Sequence, residues 1–346
     1  MSEWKEYKLE NIVTFQRGHD LPKSEMIEGE YPVAGSNGII GHHNKFTTKG
    51  PGVTIGRSGN IGGQNYYESD YWAHNTVLYV KEFKKVEPKF FYYFLKTLDF
   101  SQFNAGSAVP TLNRNHIHEL LITIPDIPEQ RAIASILSSL DDKIDLLHRQ
   151  NKTLEQLAET LFRQWFVEEA EERLEIGEVS IVTTGKGLKR EEFIINGLYP
   201  ILGANGEIGR TDKYLTDKKL ILTGRVGTLG KVYISEGKVW ISDNVLIIKT
   251  VDEKYFYPIY FSLKEFDFEN INAGSTQPLV TQTDLKKLEI RKPANVKIEK
   301  FNEQCLEYFN KISKNKKQIR TLTQMRDTLL PKLMSGEIRL NCDSYD

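Results

Sequence analysis

The sequence predicts an α+β protein built as two pseudo-symmetric modules separated by two long helices that pack as an antiparallel coiled coil. Three observations predict it: the chain repeats itself with a period of 168 residues, each repeat opens with short strands and glycine turns, and each closes with a long amphipathic helix. The boundaries that follow are 1–127 for module one, 128–168 for the first helix, 169–297 for module two and 298–338 for the second helix.

Four blocks carry the repeat. Tyr31-Pro32, Gly35, Asn37-Gly38, Ile40 and Gly41 return as Tyr199-Pro200, Gly203, Asn205-Gly206, Ile208 and Gly209. Gly56-Arg57-x-Gly59-x-x-Gly62 returns as Gly224-Arg225-x-Gly227-x-x-Gly230, and Trp72 with Val77-Leu78 as Trp240 with Val245-Leu246. Asn104-Ala105-Gly106-Ser107 with Pro110 returns as Asn272-Ala273-Gly274-Ser275 with Pro278. A period this long repeats whole domains rather than the units of a solenoid. Two similar modules imply two similar tasks. The register slips between positions 11 and 30, where Gly18 matches Gly187 better than Lys186.

Within module one, Val53–Ile55, Thr76–Val80 and Leu120–Ile124 read as strands, as do Leu220–Thr223, Val245–Ile248 and Leu288–Ile290 in module two. A helix is expected over Pro88–Leu98, matched by Tyr255–Leu263. The first long helix starts near Pro128. Its seam of Ile133, Leu137, Leu140, Ile144, Leu147, Asn151, Leu154, Ala158, Leu161 and Trp165 alternates four and three, the coiled-coil spacing. The second seam runs Phe301, Cys305, Tyr308, Ile312, Asn315, Ile319, Leu322, Arg326, Leu329 and Leu333. Asn151 and Asn315 interrupt the two seams, and a polar residue there fixes register. Each helix would be roughly 50 Å long at 1.5 Å per residue. Connectivity makes them antiparallel, since the chain leaves on one and must return on the other. Two modules would then be related by a twofold axis, the symmetry of DNA with its antiparallel strands.

Composition fits an ordinary globular chain, 39% apolar and 27% charged, with no apolar run long enough to span a membrane. The amino terminus has no signal-peptide pattern, and Cys305 and Cys342 form neither a disulfide framework nor a metal motif, so a cytoplasmic setting is expected. The net charge of −1 hides an asymmetry. Segments 1–125, 126–175, 176–296, 297–333 and 334–346 carry 0, −6, +2, +5 and −2. The acidic and basic excesses fall on the two helices, which favours their pairing; two solvated helix faces would look the same.

The glycine runs lack the spacing of dinucleotide and P-loop motifs, so they read as turns. Arg57 and Arg225 stand between a strand and a glycine turn in both modules. A guanidinium there can fork onto a phosphate or a guanine edge, or brace an internal carbonyl or carboxylate. Positions that differ between matched loops are the candidates for base reading: Ser58 and Asn60 against Val226 and Thr228, His74 and Asn75 against Ser242 and Asp243, Arg114 and Asn115 against Gln282 and Thr283. Asn, Gln, Arg and Ser make base-edge hydrogen bonds. His42, His43, His74, His116 and His118 have no histidine at the matching place in module two, so a duplicated metal or acid–base site is not expected. No H-E-x-x-H, C-x-x-C, G-x-S-x-G or amino-methyltransferase signature occurs either.

These pieces resemble the specificity subunit of type I restriction–modification systems. The resemblance covers nearly the whole chain. It is carried by the Trp4-Lys5-x-x-Lys8-Leu9 opening, the two Gly-Arg-x-Gly-x-x-Gly turns, the two Asn-Ala-Gly-Ser…Pro segments and, most specifically, Ile127-Pro128-x-Gln130-Arg131-x-Ile133-Ala134-x-Ile136-Leu137 at the first helix start. It implies that each module is a target recognition domain for one half of a split double-stranded DNA sequence. It also implies that the helices set the spacer and dock two methyltransferase subunits, and that the subunit is not itself an enzyme. S-adenosylmethionine would sit on those partners, and ATP with magnesium on separate restriction and translocation subunits, with no cofactor on this chain. The second helix start, Val296 to Phe301, departs from the pattern in lacking Pro-x-Gln-Arg. The recognition subunit of another restriction class, and a coiled-coil scaffold without DNA, are the alternative readings.

Overall fold

A computed structural model describes residues 3–100, 111–225, 231–268 and 279–340. The chain forms two compact units: Met1–Leu147 with Lys317–Asp346, and His148–Lys316. Each therefore takes a module from one repeat and helical chain from both.

In the first unit, β1 (Lys5–Lys8) pairs with β9 (Leu121–Ile124). A four-stranded antiparallel sheet has the order β2 (Val13–Arg17), β8 (Val77–Phe83), β5 (Gly52–Gly56), β6 (Gln64–Tyr67). A smaller sheet has the order β4 (Gly38–His43), β3 (Tyr31–Gly35), β7 (Trp72–Ala73). β5 is buried along its whole length, which suits its apolar run in the middle of a sheet. Helix α1 (Pro88–Leu95) begins with proline where no N–H partner is needed, and Glu87 caps it by accepting from Phe90 N at 2.6 Å. Its Phe90, Phe91, Phe94 and Leu95 join Phe15, Ile55, Leu78 and Val80 in the core. A short helix α2 (Arg114–His118) precedes β9.

The second unit repeats every element: β10 (Glu172–Glu175) with β18 (Glu289–Lys292), the sheet β11 (Ser180–Thr184), β17 (Val245–Thr250), β14 (Ile221–Gly224), β15 (Val232–Ile234), and the sheet β13 (Gly206–Thr211), β12 (Tyr199–Gly203), β16 (Trp240–Ile241). Its helices are α5 (Phe256–Glu265) and the short α4 (Ile176–Val179) and α6 (Gln282–Lys286), which touch each other. All six strand segments read from the sequence are strands, and both module helices are present. The structure corrects one match. Gly18 N–H binds Val77 O and Gly185 N–H binds Val245 O, each at 3.1 Å, so Gly18 corresponds to Gly185 and not to Gly187. A Cβ on either glycine would strike the backbone carbonyls of the β7 or β16 segment. The offset is 167 as far as the 3-10 turns Lys23–Glu25 and Arg190–Glu192, and 168 from Gly29 and Gly197 onward. The extra residue lies in the loop between, where no pattern of strand or core constrains it.

The two long helices are α3 (Ile127–Phe162), continued by a π-helical turn Arg163–Glu168, and α7 (Asn295–Met334). In the first unit Glu129 of α3 meets Arg339 beyond α7, and Asp141 meets Arg326; in the second, Asn151 meets Asn315 and Phe166 meets Phe301. In both units residue number rises on one helix as it falls on the other, so the pairing is antiparallel. The helices also wall the module cores. Ile133, Ala134 and Leu137 belong to the first core, and Ala158, Ile298, Phe301, Cys305 and Ile312 to the second. The expected seam holds except at Tyr308 in α7 and near the end of α3, where Phe162 and Phe166 are buried in place of the half-buried Leu161 and Trp165. A strict heptad drifts by about 20° per repeat against a 3.6-residue turn, so after four heptads the inward position moves on by one residue. Phe309 is buried beside Tyr308 in α7 for a similar local reason, four residues after Cys305.

Candidate nucleic-acid interface

The candidates of module one collect at one end of its large sheet. Gly56 is paired with Val77. Arg57 then donates its N–H to Thr76 O at 2.8 Å and accepts at its carbonyl from Leu112 N at 2.8 Å. In module two Arg225 N–H donates to Asn244 O at 2.9 Å, and Val280 N–H donates to Arg225 O at 3.0 Å. The same two bonds recur 168 residues on. They tie the end of β5 or β14 to the start of β8 or β17 and to the segment leading into α2 or α6. The backbone of each arginine is therefore architectural. Neither guanidinium has an acidic partner among the described residues. Burial, and after it the charge of Arg17, pulls the Arg57 pKa below its usual value.

Ser58 shares this corner through a bridge to Thr111. His74 is folded inward, its Nδ1 3.0 Å from the Thr76 hydroxyl and its N–H on Ala34 O. Asn75 donates to Asp20. Arg114 and Asn115 open α2 with exposed side chains, the N–H of Asn115 being capped by Asn113 at 3.0 Å. Asn60 stands apart from this group, its amide 3.5 Å from Ser36 O in the β3–β4 turn. In module two, Ser242 bonds Asp243 at 3.1 Å, and Gln282 begins α6, half-buried. Thr228 lies outside the described residues, as do the two Asn-Ala-Gly-Ser segments.

Two residues of this corner carry no repeat signal. Arg17 ends β2 with its guanidinium 3.6 Å from Asp20, and Asp20 in turn accepts from Asn75. They sit in the stretch where the offset differs by one, so aligning the repeats at 168 hides them. Two histidines of module one brace backbone. His43 Nδ1 accepts from Ile27 N at 3.1 Å, and His118 Nε2 from Phe15 N at 3.0 Å. Burial, then the charge of Arg114, holds the His118 pKa below its ordinary value. Among the described residues no cluster of His, Cys, Asp and Glu could hold a metal ion, and no helix is long and apolar enough to cross a membrane.

The helix start that looked most specific is explained by its bonds. Gln130 is buried, accepts from Glu87 N at 2.8 Å and donates to Pro125 O at 2.9 Å, so it locks the cap of α1 to the start of α3. Glu129, also buried, takes both arms of Arg339 at 2.9 and 3.0 Å, while Trp4 lies under that guanidinium, 5.4 Å from ring centroid to Cζ.

Two stretches, residues 1–156 and 168–324, each match the family model described as the type I restriction modification DNA specificity domain. The chain belongs to that family. Among type I specificity subunits it is similar to that of MjaIX from Methanocaldococcus jannaschii, 27% identical over 324 residues, which span 78% of this chain and 74% of the relative. It is similar over 98% of its length to the whole of the HindI specificity subunit from Haemophilus influenzae, at 23% identity. The crystal structure of the type I restriction–modification S subunit from M. genitalium has the same fold, with a TM-score of 0.76 at 20% identity over 96% of both chains. The two matched stretches follow the repeat, so a specificity domain occurs twice in this member.

Proposed function

We propose that this specificity subunit reads a bipartite DNA target, one half-site per module, and has no catalytic activity of its own. The observation that carries the reading is the duplicated corner. Arg57 and Arg225 occupy it with the same backbone bonds, and around them polar side chains differ between modules. Shared backbone geometry with divergent side chains is what two readers of different half-sites require, since phosphate contacts position and base contacts specify. Ser58, Asn75, Asn115, Ser242 and Gln282 are the proposed readers near that corner, with Asn60 and Thr228 in the glycine-rich segments. His74 is proposed as a support for the loop, because its ring is already engaged by Thr76.

The paired helices set the spacer, with Asn151 and Asn315 as its register, and dock two methyltransferase subunits. Those subunits carry S-adenosylmethionine, and restriction subunits that use ATP and magnesium join through the complex, all in the cytoplasm. Sequencing genomic methylation with and without this gene, beside its partner methyltransferase, tests the reading. The expected result is a split motif with a fixed spacer that vanishes on deletion. No gene-dependent motif despite a soluble complex would overturn it.

A further inference from the structure

Three matched rim positions all hold a guanidinium in module one, and one of the three does in module two. Arg17 is paired across the sheet with Leu78, and Leu78 with Ile55. Side chains alternate along a strand, so Arg17, Leu78, Ile55 and, two residues further, Arg57 share one face. Leu78 and Ile55 are buried in the core. The two arginines stand where that core face runs out, on either side of β8 and roughly two strand spacings, about 10 Å, apart at the backbone. Arg114 comes to the same rim. Leu112, two residues before it, is tied to Arg57, and His118, four residues after it, stacks on Phe15 at 6.2 Å between centroids. Among the described residues one acid touches these three side chains. It is Asp20, 3.6 Å from Arg17 and 74% exposed. Arg57 and Arg114 form no ion pair among the described residues. In module two the matching positions are Thr184, Arg225 and Gln282.

Like charges gathered at one rim repel one another unless an anion lies among them. We infer that Arg17, Arg57 and Arg114 grip the DNA phosphates of the first half-site, so that module one supplies most of the sequence-independent, salt-sensitive part of binding. The neutral Thr184 and Gln282 leave module two to hold its half-site mainly through hydrogen bonds. This rests on the DNA-reading role proposed above.

The test uses the full chain in complex with its methyltransferase subunits, titrated over a range of salt onto a duplex carrying the methylated motif and onto a scrambled duplex. Arg17→Ala and Arg114→Ala should each flatten the plot of log affinity against log salt by about 0.9, the value of one phosphate contact, and weaken both duplexes by the same factor. Arg17→Lys should keep the slope, and Gln282→Arg should steepen it by about 0.9. Unchanged slopes in both alanine variants overturn the inference, as does a loss confined to one base pair of the motif, which would mean base reading. A wild-type complex that prefers no bipartite duplex would sink the DNA-reading role itself, a result the slopes of the variants cannot mimic.

Discussion

The side-chain amide of Asn315 donates to the side-chain oxygen of Asn151 across 2.9 Å inside the paired helices of the second unit. Both residues are buried, 1% and 9% exposed. The positions one repeat away hold Ile319 and Leu147, so the polar pair is not duplicated. Replacing one asparagine by alanine strands a buried amide, and should cost about 1–3 kcal/mol in denaturant unfolding. The double change Asn151→Leu with Asn315→Leu should recover or exceed wild-type stability but loosen register, read as a broadened spacer in the methylated motif. A double variant with an unchanged spacer would remove the register role.

The glycine correspondence yields a sharp contrast. A Cβ on Gly18 would lie 2.0 Å from His74 O, and one on Gly185 2.3 Å from Ile241 O, both backbone atoms. A Cβ on Gly187 would meet only the movable carboxylate of Asp243, at 3.2 Å. Gly185→Ala should therefore displace the loop of Ser242 and abolish recognition of the second half-site, at a stability cost of about 1–3 kcal/mol, whereas Gly187→Ala should be tolerated. Thermal unfolding and the methylated motif read both outcomes.

Acid should weaken the first unit through His118. Its ring accepts the Phe15 N–H, which only the neutral form can do, and its folded pKa lies below the unfolded value of about 6.5. The unfolded chain thus binds the proton first. This contribution is complete above about pH 6.5 and is lost as pH falls from there toward the lower folded pKa. His118→Gln keeps an acceptor without a titration and should remove that step from a plot of stability against pH. A step of unchanged size would assign it elsewhere.

Asp141 on α3 accepts from Tyr93 at 2.7 Å and from Arg326 at 2.8 Å. One repeat away the same three places are filled by Phe309, Phe261 and Ala158, all buried and apolar. Asp141→Ala should cost about 1–3 kcal/mol, because it leaves the Tyr93 hydroxyl without its acceptor and Arg326 with Asp327 alone. The triple change to the apolar set of the second unit should recover most of the loss, as measured by denaturant midpoint.

The elements that the sequence made legible are those with a period. The duplicated blocks place both modules, and the heptads place α3, α7 and the two asparagines. What it hid has physical causes. Arg17 falls where one inserted residue changes the offset, so comparing halves at a single spacing passes over it. Phe162 and Phe166 lie off a strict heptad because the turn is 3.6 residues. Gln130 was visible as a letter, but its work is on three backbone groups, Glu87 N, Lys85 O and Pro125 O, and no side-chain pattern records a carbonyl. The loop side chains were nameable in pairs, yet which of them share a corner depends on bonds such as Leu112 to Arg57.

The clasps that shut the two units have opposite polarity. In the first, Glu129 at the start of α3 holds Arg339; in the second, Lys297 at the start of α7 holds Glu169. A tandem duplication always risks self-recognition, one half closing on another copy of itself. Two copies of the first half would set Glu129 against Glu171, the residue one period before Arg339, and leave Asp141 facing Ala158. Two copies of the second would press the Arg326 guanidinium into the phenyl rings around Phe309. Divergence has made the halves a mated pair, plug and socket rather than interchangeable twins.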